Sequence, residues 1–231
     1  MSLKGQIAFI TGASRGIGRA IALRLAQADC DLALVARSER ELRELAADIK
    51  AAGREALPLI CDLREEKQVR QAVDQALEHY GRIDILVNNA GLWHYAPVTK
   101  LTLAQWDEMF DVNLRAAFLC TNYLLPAMLA RKKGHIINIG SVSGLEAEEE
   151  GAGYCATKFG LRGFSQVLER EVGGKGIRVT LVSPGAVNNS LSKSAAAQSD
   201  IQVQDVAEAV FLAVTLPGRV NLSEATMRPS H

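Results

Sequence analysis

Short apolar runs alternate with longer segments of helical periodicity along most of the chain. The apolar runs predict strands at Ile7–Ile10, Leu32–Ala36, Ala56–Ile60, Ile83–Val87, His135–Ile139, Arg178–Val182 and Val220–Met227. Apolar residues at helical spacing predict helices at Gly16–Ala28, Glu39–Ala52, Glu65–Tyr80, Leu103–Arg131, Tyr154–Val172 and Val203–Leu216. Strands that alternate with helices indicate an α/β fold with a mostly parallel sheet. Several strands are apolar at consecutive positions, which is typical of a sheet with helices on both faces.

The composition is that of a globular protein without a strongly charged partner. Of the 231 residues, 48% are apolar and 23% are charged, which is typical of a folded chain. The 26 basic residues balance the 26 acidic ones, whereas a nucleic-acid-binding protein is expected to carry a basic excess. We therefore expect one domain over residues 1–231 that acts on small molecules and not on nucleic acid.

The apolar segments and the cysteines indicate the cellular setting. The longest apolar run, Ala209–Val214, is far shorter than the roughly 20 residues that span a bilayer. The first residues also lack the apolar core of a signal peptide. The four cysteines lie far apart, at Cys30, Cys61, Cys120 and Cys155, which indicates free thiols without disulfides or a zinc site. The histidines show no ligand spacing, so we predict a cytoplasmic protein with no membrane segment and no metal.

A glycine-rich turn follows the first predicted strand. Residues 11–18 read TGASRGIG and lead directly into a predicted helix. Glycines permit a tight turn and a close approach of the backbone to a ligand, and the helix N-terminus offers free N–H groups to a pyrophosphate. The spacing is GxxxGxG rather than the better-known GxGxxG, but its place between a strand and a helix favours nucleotide binding.

The end of the second strand indicates which nucleotide binds. An NAD site commonly places an acidic residue about 20 residues after the glycines to hold the ribose hydroxyls. Here Arg37 and Ser38 follow the strand, with no carboxylate. Arg37 and Arg15 would hold a 2′-phosphate, for which a planar guanidinium is suited. Alternatively Arg37 simply begins a solvated helix, but two arginines and no acid make NADP(H) the predicted cofactor.

Tyr154 and Lys158 share one face of a predicted helix because they stand four residues apart. An ammonium beside a phenol stabilises the phenolate and lowers the phenol's pKa, which suits it to proton transfer to a carbonyl. Ser141 follows a predicted strand, and so do residues 88–91 and 184–185. Ligands of open α/β sheets bind at the carboxyl ends of the strands, so we expect all of these residues at one edge of the sheet.

Together these motifs resemble the short-chain dehydrogenase/reductase family in its compact single-domain branch. The resemblance covers nearly the whole chain and rests on motifs in family order: TGASRGIG at 11–18, Asp62, NNAG at 88–91, Asn113, Ser141, YCATK at 154–158 and PG at 184–185. It implies a doubly wound Rossmann fold with helices on both faces of a seven-stranded parallel sheet, in the order 3-2-1-4-5-6-7. It also implies an oxidoreductase that uses a nicotinamide cofactor.

The resemblance assigns four catalytic residues. Tyr154 would be the general acid in reduction and the base in oxidation, and Lys158 would lower its pKa and bond the nicotinamide ribose. Ser141 would hold and polarise the substrate oxygen. Asn113 would interrupt its helix and hold a water that links Lys158 to solvent.

The resemblance also assigns the cofactor-binding residues. Asp62 would meet the adenine ring (or cap the helix ahead of Glu65), residues 88–91 would wall the adenosine, and residues 184–187 would frame the nicotinamide. The full predicted set is Gly12, Ser14, Arg15, Gly16, Ile17, Gly18, Arg37, Asp62, Leu63, Asn89, Ala90, Gly91, Tyr154, Lys158, Pro184, Gly185 and Val187.

Two segments depart from the family pattern. The family often has a threonine shortly after the PG pair, whereas this chain has Asn188, Asn189 and Ser190. The small, polar stretch around 188–202 is predicted to be a short substrate lid. The C-terminal residues lack the Gly-rich turn of the 3-oxoacyl-carrier-protein reductases and resemble those of 3-hydroxy-acid and serine-type dehydrogenases.

The substrate walls are open to two interpretations. Ser141, Tyr154 and Trp93 are the predicted substrate-binding residues, although Trp93 lies in a segment that would equally pack as an ordinary loop. Between Ser141 and Tyr154 the chain carries Glu146 and a run of glutamates at 148–150. We expect these glutamates in a solvated loop. A glutamate that pointed inward would favour a cationic or amine-bearing substrate over a carboxylate.

The sequence leaves three functions open. The first is an NADP(H)-dependent oxidoreductase that acts on a CH–OH group of a small carbonyl or secondary alcohol. The second is a reductase of 3-oxoacyl thioesters on coenzyme A or an acyl carrier protein. The third is a catalytically silent NADP-binding regulator, which need not retain the full catalytic set. The resemblance also implies a homodimer or homotetramer, with residues 116–119 and 159–161 at the interface.

Overall fold

The computed structural model describes residues 2–188 and 201–230. A parallel sheet of seven strands forms its centre, in the order β3-β2-β1-β4-β5-β6-β9. The strands are β1 (Ile7–Thr11), β2 (Asp31–Ala36), β3 (Ala56–Ile60), β4 (Ile85–Asn88), β5 (Gly134–Ile139), β6 (Ile177–Pro184), β7 (Val187–Asn188), β8 (Ile201–Gln202) and β9 (Glu224–Met227). The predicted α/β class and strand order are confirmed, with β9 in the seventh place.

The connections between the strands are mostly helical. The α-helices of the described residues are α1 (Gly16–Ala26), α2 (Glu39–Ala51), α3 (Glu66–Tyr80), α4 (Leu103–Phe110), α5 (Ala116–Arg131), α6 (Ala152–Val172) and α7 (Val203–Thr215). The helical stretch predicted over residues 103–131 is divided by a π-helical turn at Asp111–Arg115, which separates α4 from α5. The last strand also begins later than predicted, and the short parallel pair β7–β8 was not predicted.

The two faces of the sheet are covered by different helices, which explains the consecutive apolar residues in the strands. Within β1, Ile10 packs in a cluster with residues of α1, α2 and α7. Its neighbour Phe9 points the other way and packs with residues of α3, α5 and α6. Each strand therefore needs apolar side chains at both of its alternating positions, as expected for a parallel sheet that is buried on both sides.

Arg178 ties the C-terminal residues to the sheet. It lies on β6, and its guanidinium donates to the carbonyl oxygens of Ala213, Val214 and Leu216 at the end of α7, at 3.1–3.3 Å. It also donates to the carbonyl of Val220 at 3.4 Å. These carbonyls have no partner within the helix, so the half-buried Arg178 cation at this end is stabilising. The contact turns the chain back so that β9 pairs with β6.

The described residues bear on three features that the sequence predicts to be absent: a membrane-spanning helix, a metal site and disulfides. None of their helices is long and apolar enough to cross a bilayer. No group of three or more His, Cys, Asp or Glu side chains within residues 2–188 and 201–230 is arranged to hold a metal ion. All four cysteines are buried free thiols.

The faces that the resemblance assigns to a subunit interface are partly exposed. Phe118 on α5 is 48% exposed, and Phe159 on α6 is 44% exposed. Their neighbours Ala117, Leu119 and Leu161 are buried within the chain's own structure. The exposed aromatic rings are compatible with an interface between subunits, and the homodimer or homotetramer stays a prediction.

Candidate active site

The glycine-rich turn between β1 and α1 is held by backbone geometry that requires glycine. Gly12 and Gly16 have φ values of +66° and +56°, in the left-handed region that favours glycine. Gly18 lies against the turn: a Cβ at this position would overlap the carbonyl oxygen of Gly12 and lie 2.5 Å from Nδ2 of Asn89. Asn89 in turn donates to the carbonyl oxygen of Thr11 at 2.8 Å. Gly18 and Asn89 thus pack against the turn, and the free N–H groups lie at the N-terminus of α1.

Gly18→Ala is expected to lower the free energy of unfolding by about 1–3 kcal/mol, because the added methyl group overpacks a backbone contact. Gly163 on α6 is a matched control, since a Cβ there would meet nothing within 4 Å. Gly163→Ala should raise the free energy of unfolding by about 0.5–1 kcal/mol through helix propensity. Urea unfolding of the three proteins checks both signs, and equal stability of Gly18→Ala and the wild type would contradict the packing argument.

Two arginines lie beside the glycine-rich turn, at one end of the cavity that the turn helps to line. Arg15 and Arg37 are both exposed, and neither forms an ion pair with another described residue. Asp62 also lines this end, but its carboxylate already accepts two hydrogen bonds from the Arg64 guanidinium, at 3.0 Å and 2.6 Å. The Arg64 side-chain hydrogen bond holds the pKa of the Asp62 carboxyl below its usual range. Two free guanidinium groups therefore face this end, where a dianionic group would find partners.

The catalytic candidates lie on two elements that meet beyond the end of β5. Lys158 and Tyr154 are on α6, and Nζ of Lys158 lies 5.6 Å from the centre of the Tyr154 ring. Ser141 follows β5, is buried, and donates from Oγ to Oγ of Ser143 at 3.1 Å. Gly153 permits this placement, because a Cβ there would overlap the Met109 side chain of α4. The motifs at the strand ends are thus brought together, as expected for the carboxyl edge of a parallel sheet.

The pKa values of the tyrosine–lysine pair are set by burial. Burial raises the pKa of Tyr154 to about 12, against the lowering effect of the Ser141 hydroxyl, and the charge of Glu148 raises it further. Burial also lowers the pKa of Lys158 to about 8. The Lys158 ammonium donates to the carbonyl oxygen of Ile139 at 2.9 Å. The chain alone therefore does not show the expected lowering of the tyrosine's pKa, because burial disfavours the phenolate.

Asn113 lies in the π-helical turn and is buried. Its Nδ2 donates to the carbonyl oxygen of Leu92 at 2.9 Å and to Oγ1 of Thr157 at 3.1 Å, and its Oδ1 accepts from the Leu92 N–H at 2.8 Å. The predicted interruption of the helix at Asn113 is confirmed, and π turns of this kind are frequent at functional sites. The side chain itself fixes the backbone after the NNAG segment to α6, rather than facing the cavity.

A single cavity of about 780 Å³ connects the glycine-rich turn to the tyrosine–lysine pair. Each of the seventeen predicted cofactor-binding residues and the three predicted substrate-binding residues lines it. Asn113 does not line it, although its neighbour Val112 does. Asn88 is also absent from its wall, because the Asn88 side chain is buried and donates to Oδ1 of Asn138 at 2.8 Å. The expectation that Asn88 walls the adenosine is therefore wrong.

The family model described as short chain dehydrogenase matches residues 6–200 of the chain. The chain belongs to the short-chain dehydrogenase family. It is 36% identical over 229 residues to an uncharacterised oxidoreductase of Staphylococcus epidermidis, with 98% of each chain covered. It is 37% identical over 232 residues to an uncharacterised oxidoreductase of Staphylococcus saprophyticus, with 99% of each covered. As a member of this family the chain is an oxidoreductase.

Two solved structures resemble this short-chain dehydrogenase closely. One is a metagenomic short-chain oxidoreductase in complex with NADP, with a TM-score of 0.89, 39% identity and full coverage of both chains. The other is an alcohol dehydrogenase from Thermococcus sibiricus complexed with 5-hydroxy-NADP, with a TM-score of 0.92, 30% identity and 97% coverage of both chains.

Several residues of the dehydrogenase's cavity were not singled out from the sequence. They share a position close to a predicted site residue and are Ala36, Ser38, Cys61, Leu92, Val112, Ile139, Gly140, Val142 and Ser143. The feature of the sequence that could have identified them is that they lie close to a motif at a strand end. The predicted lid at 188–202 falls mostly on residues 189–200, which lie outside the described residues. Its two ends are joined, because β7 pairs with β8 in parallel.

The glutamate loop of the dehydrogenase contributes one side chain to the cavity wall. Glu148 lines the cavity, and its carboxylate accepts from Oγ of Ser143 at 2.5 Å and from the hydroxyl of Tyr95 at 2.6 Å. Glu146 faces elsewhere and pairs with Arg228 at 2.7 Å. The expected exposure of this loop holds for Glu148 too, but two hydroxyl donors keep its exposed carboxylate at the cavity mouth.

Proposed function

We propose that the chain is an NADP(H)-dependent oxidoreductase that interconverts a small carbonyl compound and its secondary alcohol, with Tyr154 as general acid and base. The observation that carries this proposal is a continuous cavity with Ser141, Tyr154 and Lys158 at one end and, at the other, two arginines that form no ion pair with another described residue. The family supports the reaction class, and the two similar structures, which are complexes with NADP and with 5-hydroxy-NADP, support the cofactor.

The residues along the cavity fit the proposed cofactor from end to end. The N–H groups of the glycine-rich turn and α1 would hold the pyrophosphate. Arg15 and Arg37 would bind the 2′-phosphate, and no described carboxylate stands beside them to favour a free ribose hydroxyl except Asp62, which Arg64 occupies. Lys158 would bond the nicotinamide ribose. When bound, the cofactor supplies or accepts a hydride, and the chain supplies position and electrostatics.

The proton chemistry belongs to the side chains at the end of β5. In reduction, the Tyr154 phenol would donate its proton to the substrate oxygen, and the Ser141 hydroxyl would hold that oxygen in place. A phenol whose pKa is raised to about 12 stays protonated at neutral pH and can therefore donate a proton in reduction. Lys158, with its pKa lowered to about 8, would return a proton to Tyr154 after each turnover, and Asn113 would link Lys158 to solvent through a water.

Arg37→Ala is the test of the cofactor. Loss of a charge-assisted hydrogen bond to phosphate costs about 1.5–3 kcal/mol, so we expect kcat/KM for NADPH to fall by about 10- to 100-fold while that for NADH stays nearly constant. Arg40→Ala is the control, because Arg40 lies nearby on α2, pairs with Glu44 at 3.8 Å and does not line the cavity. The measurement is initial rates with both coenzymes.

Two results would count against this proposal. A wild type that prefers NADH, or an Arg37→Ala variant that loses both coenzymes equally, would remove the 2′-phosphate assignment. Tight NADPH binding in a fluorescence titration, without turnover across a panel of aldehydes and ketones, would favour the silent regulator instead.

A further inference from the structure

The catalytic end of the cavity has an uneven distribution of charge. Among the described residues that line this end, the charged side chains are Glu148 and Lys158. The Lys158 ammonium is buried and bonded to a backbone carbonyl. Glu148 forms no ion pair with any described residue, since the nearby Arg228 pairs with Glu146. The charge that a substrate meets on entering is therefore negative.

Aromatic rings surround the same place. The ring of Trp93 lies 6.5 Å from that of Tyr154, and the ring of Tyr95 lies 6.1 Å from it on a tilted plane. Trp93 is 38% exposed and Tyr95 is 43% exposed, so both rings have free faces. The Tyr95 hydroxyl donates to the Glu148 carboxylate and thus sets ring and charge side by side. A carboxylate among aromatic faces is the arrangement that binds ammonium groups in proteins.

The hydrogen bonds to Glu148 orient the carboxylate without neutralising it. Its two oxygens accept from two neutral hydroxyls, of Ser143 and Tyr95, and both donors are themselves part of the cavity wall. Ser143 also receives the hydrogen bond from Ser141, so a chain of hydroxyls runs from the proposed substrate-oxygen site to Glu148. A charge on the substrate that faces Glu148 would therefore lie a short distance from the reacting carbonyl.

We propose that Glu148, with Trp93 and Tyr95, forms a subsite for a positively charged group, so that the preferred substrates are carbonyl compounds or alcohols that carry an ammonium near the reacting carbon. This inference rests on the proposed function and names its substrate class. Carboxylate-bearing substrates such as 3-oxo acids would meet repulsion from Glu148, while the Lys158 ammonium is buried and bonded to the carbonyl oxygen of Ile139.

Three ketones of matched shape test the subsite: acetonyltrimethylammonium, methyl neopentyl ketone as its neutral isostere, and acetoacetate as an anion. With the wild type we expect kcat/KM to be at least about tenfold higher for the ammonium ketone than for the neutral one, and lowest for acetoacetate. In Glu148→Gln the ratio of the ammonium ketone to the neutral ketone should fall by about tenfold. In Glu148→Lys the order should reverse in favour of acetoacetate, a gain that misfolding would not produce.

Glu149→Gln is the matched control, because Glu149 is the adjacent glutamate and does not line the cavity. It should keep the wild-type ratio. A wild type that prefers acetoacetate, or a ratio that Glu148→Gln leaves unchanged, would overturn the subsite.

Dissociation constants of the same ketones, measured by calorimetry on the protein with NADPH, separate this inference from the proposed function. Absence of NADPH oxidation with every carbonyl compound would count against the function, while the order of the three dissociation constants would still decide the subsite. If the constants follow the order ammonium, neutral, anion and Glu148→Gln removes that order, the subsite stands. If they show no order of charge, it fails.

Discussion

Tyr154→Phe is expected to lower kcat for carbonyl reduction by about 10²–10⁴-fold, which is the usual contribution of a positioned general acid. The change removes one hydroxyl and leaves the ring, whose contacts with Trp93 and Tyr95 hold the cavity wall in place. The dissociation constant of NADPH should stay within about twofold of the wild type, because the phenol acts on the substrate oxygen. Steady-state rates give kcat, and a fluorescence titration gives the dissociation constant of NADPH.

The control for this prediction is Tyr123→Phe. Tyr123 lies on α5, donates its hydroxyl to Glu66 at 2.9 Å and does not line the cavity. It should turn over at the wild-type rate. Near-normal turnover by Tyr154→Phe would remove the phenol from the mechanism, whereas an equal loss in both variants would point to a general effect of losing a tyrosine hydroxyl.

The second large effect concerns stability in acid and rests on His135. This side chain is buried on β5, and its Nε2 lies 2.8 Å from Oγ1 of Thr180. Its Nδ1 has no hydrogen-bond partner among the described residues. Burial lowers the pKa of His135 from 6.5 to about 3, with a smaller contribution from the charge of Arg178. The folded protein therefore keeps this imidazole neutral over a range in which the unfolded chain protonates it.

The free energy of unfolding changes with pH in a direction that depends on whether the folded or the unfolded state binds more protons. Between pH 6.5 and about 3 the unfolded state holds a proton on His135 that the folded state lacks, so the free energy of unfolding falls as the pH falls through this window. The slope is about 1.4 kcal/mol per pH unit, or roughly 3 kcal/mol between pH 6.5 and about pH 4. Above pH 6.5 His135 contributes no pH dependence.

Comparison with His135→Asn isolates this contribution, since asparagine does not titrate and the carboxylates titrate in both proteins. The stability advantage of the wild type over the variant, from urea unfolding at several pH values, should shrink by about 3 kcal/mol between pH 6.5 and about pH 4. A difference that stays constant over that range would show that His135 is not held neutral in the folded state.

The motifs that were predictable from the sequence are those whose geometry is local. The glycine-rich turn needs only a strand, three glycines and a helix, and the spacing of Tyr154 and Lys158 places them on one helical face. Strand ends of a parallel sheet meet at one edge, so the motifs after β1, β4, β5 and β6 come together without further information. These features account for most of the residues that line the cavity.

Side-chain direction at a strand end was not predictable. Asn88 and Asn89 are adjacent in the sequence and chemically identical, yet Asn88 points into the buried polar contacts of β5 and Asn89 closes the glycine-rich turn. Successive residues of a strand point to opposite sides, so a one-residue difference in where β4 ends decides which amide reaches the cavity. The glutamate run behaves likewise: its members are all exposed, yet Glu148 reaches the cavity mouth because the hydroxyls of Tyr95 and Ser143 donate to it.

By itself the sequence determined the α/β class, the glycine-rich turn and the tyrosine–lysine face, because each follows from short-range periodicity or from a motif within a few residues. The strand order was implied by the resemblance to the family. Only the tertiary structure decided the hydrogen bonds that hold Asn113 away from the cavity, the place of Glu148 at the cavity mouth and the raised pKa of Tyr154. These depend on desolvation and on hydrogen bonds between residues far apart in the chain, such as Asn113 with Leu92, which no local pattern encodes.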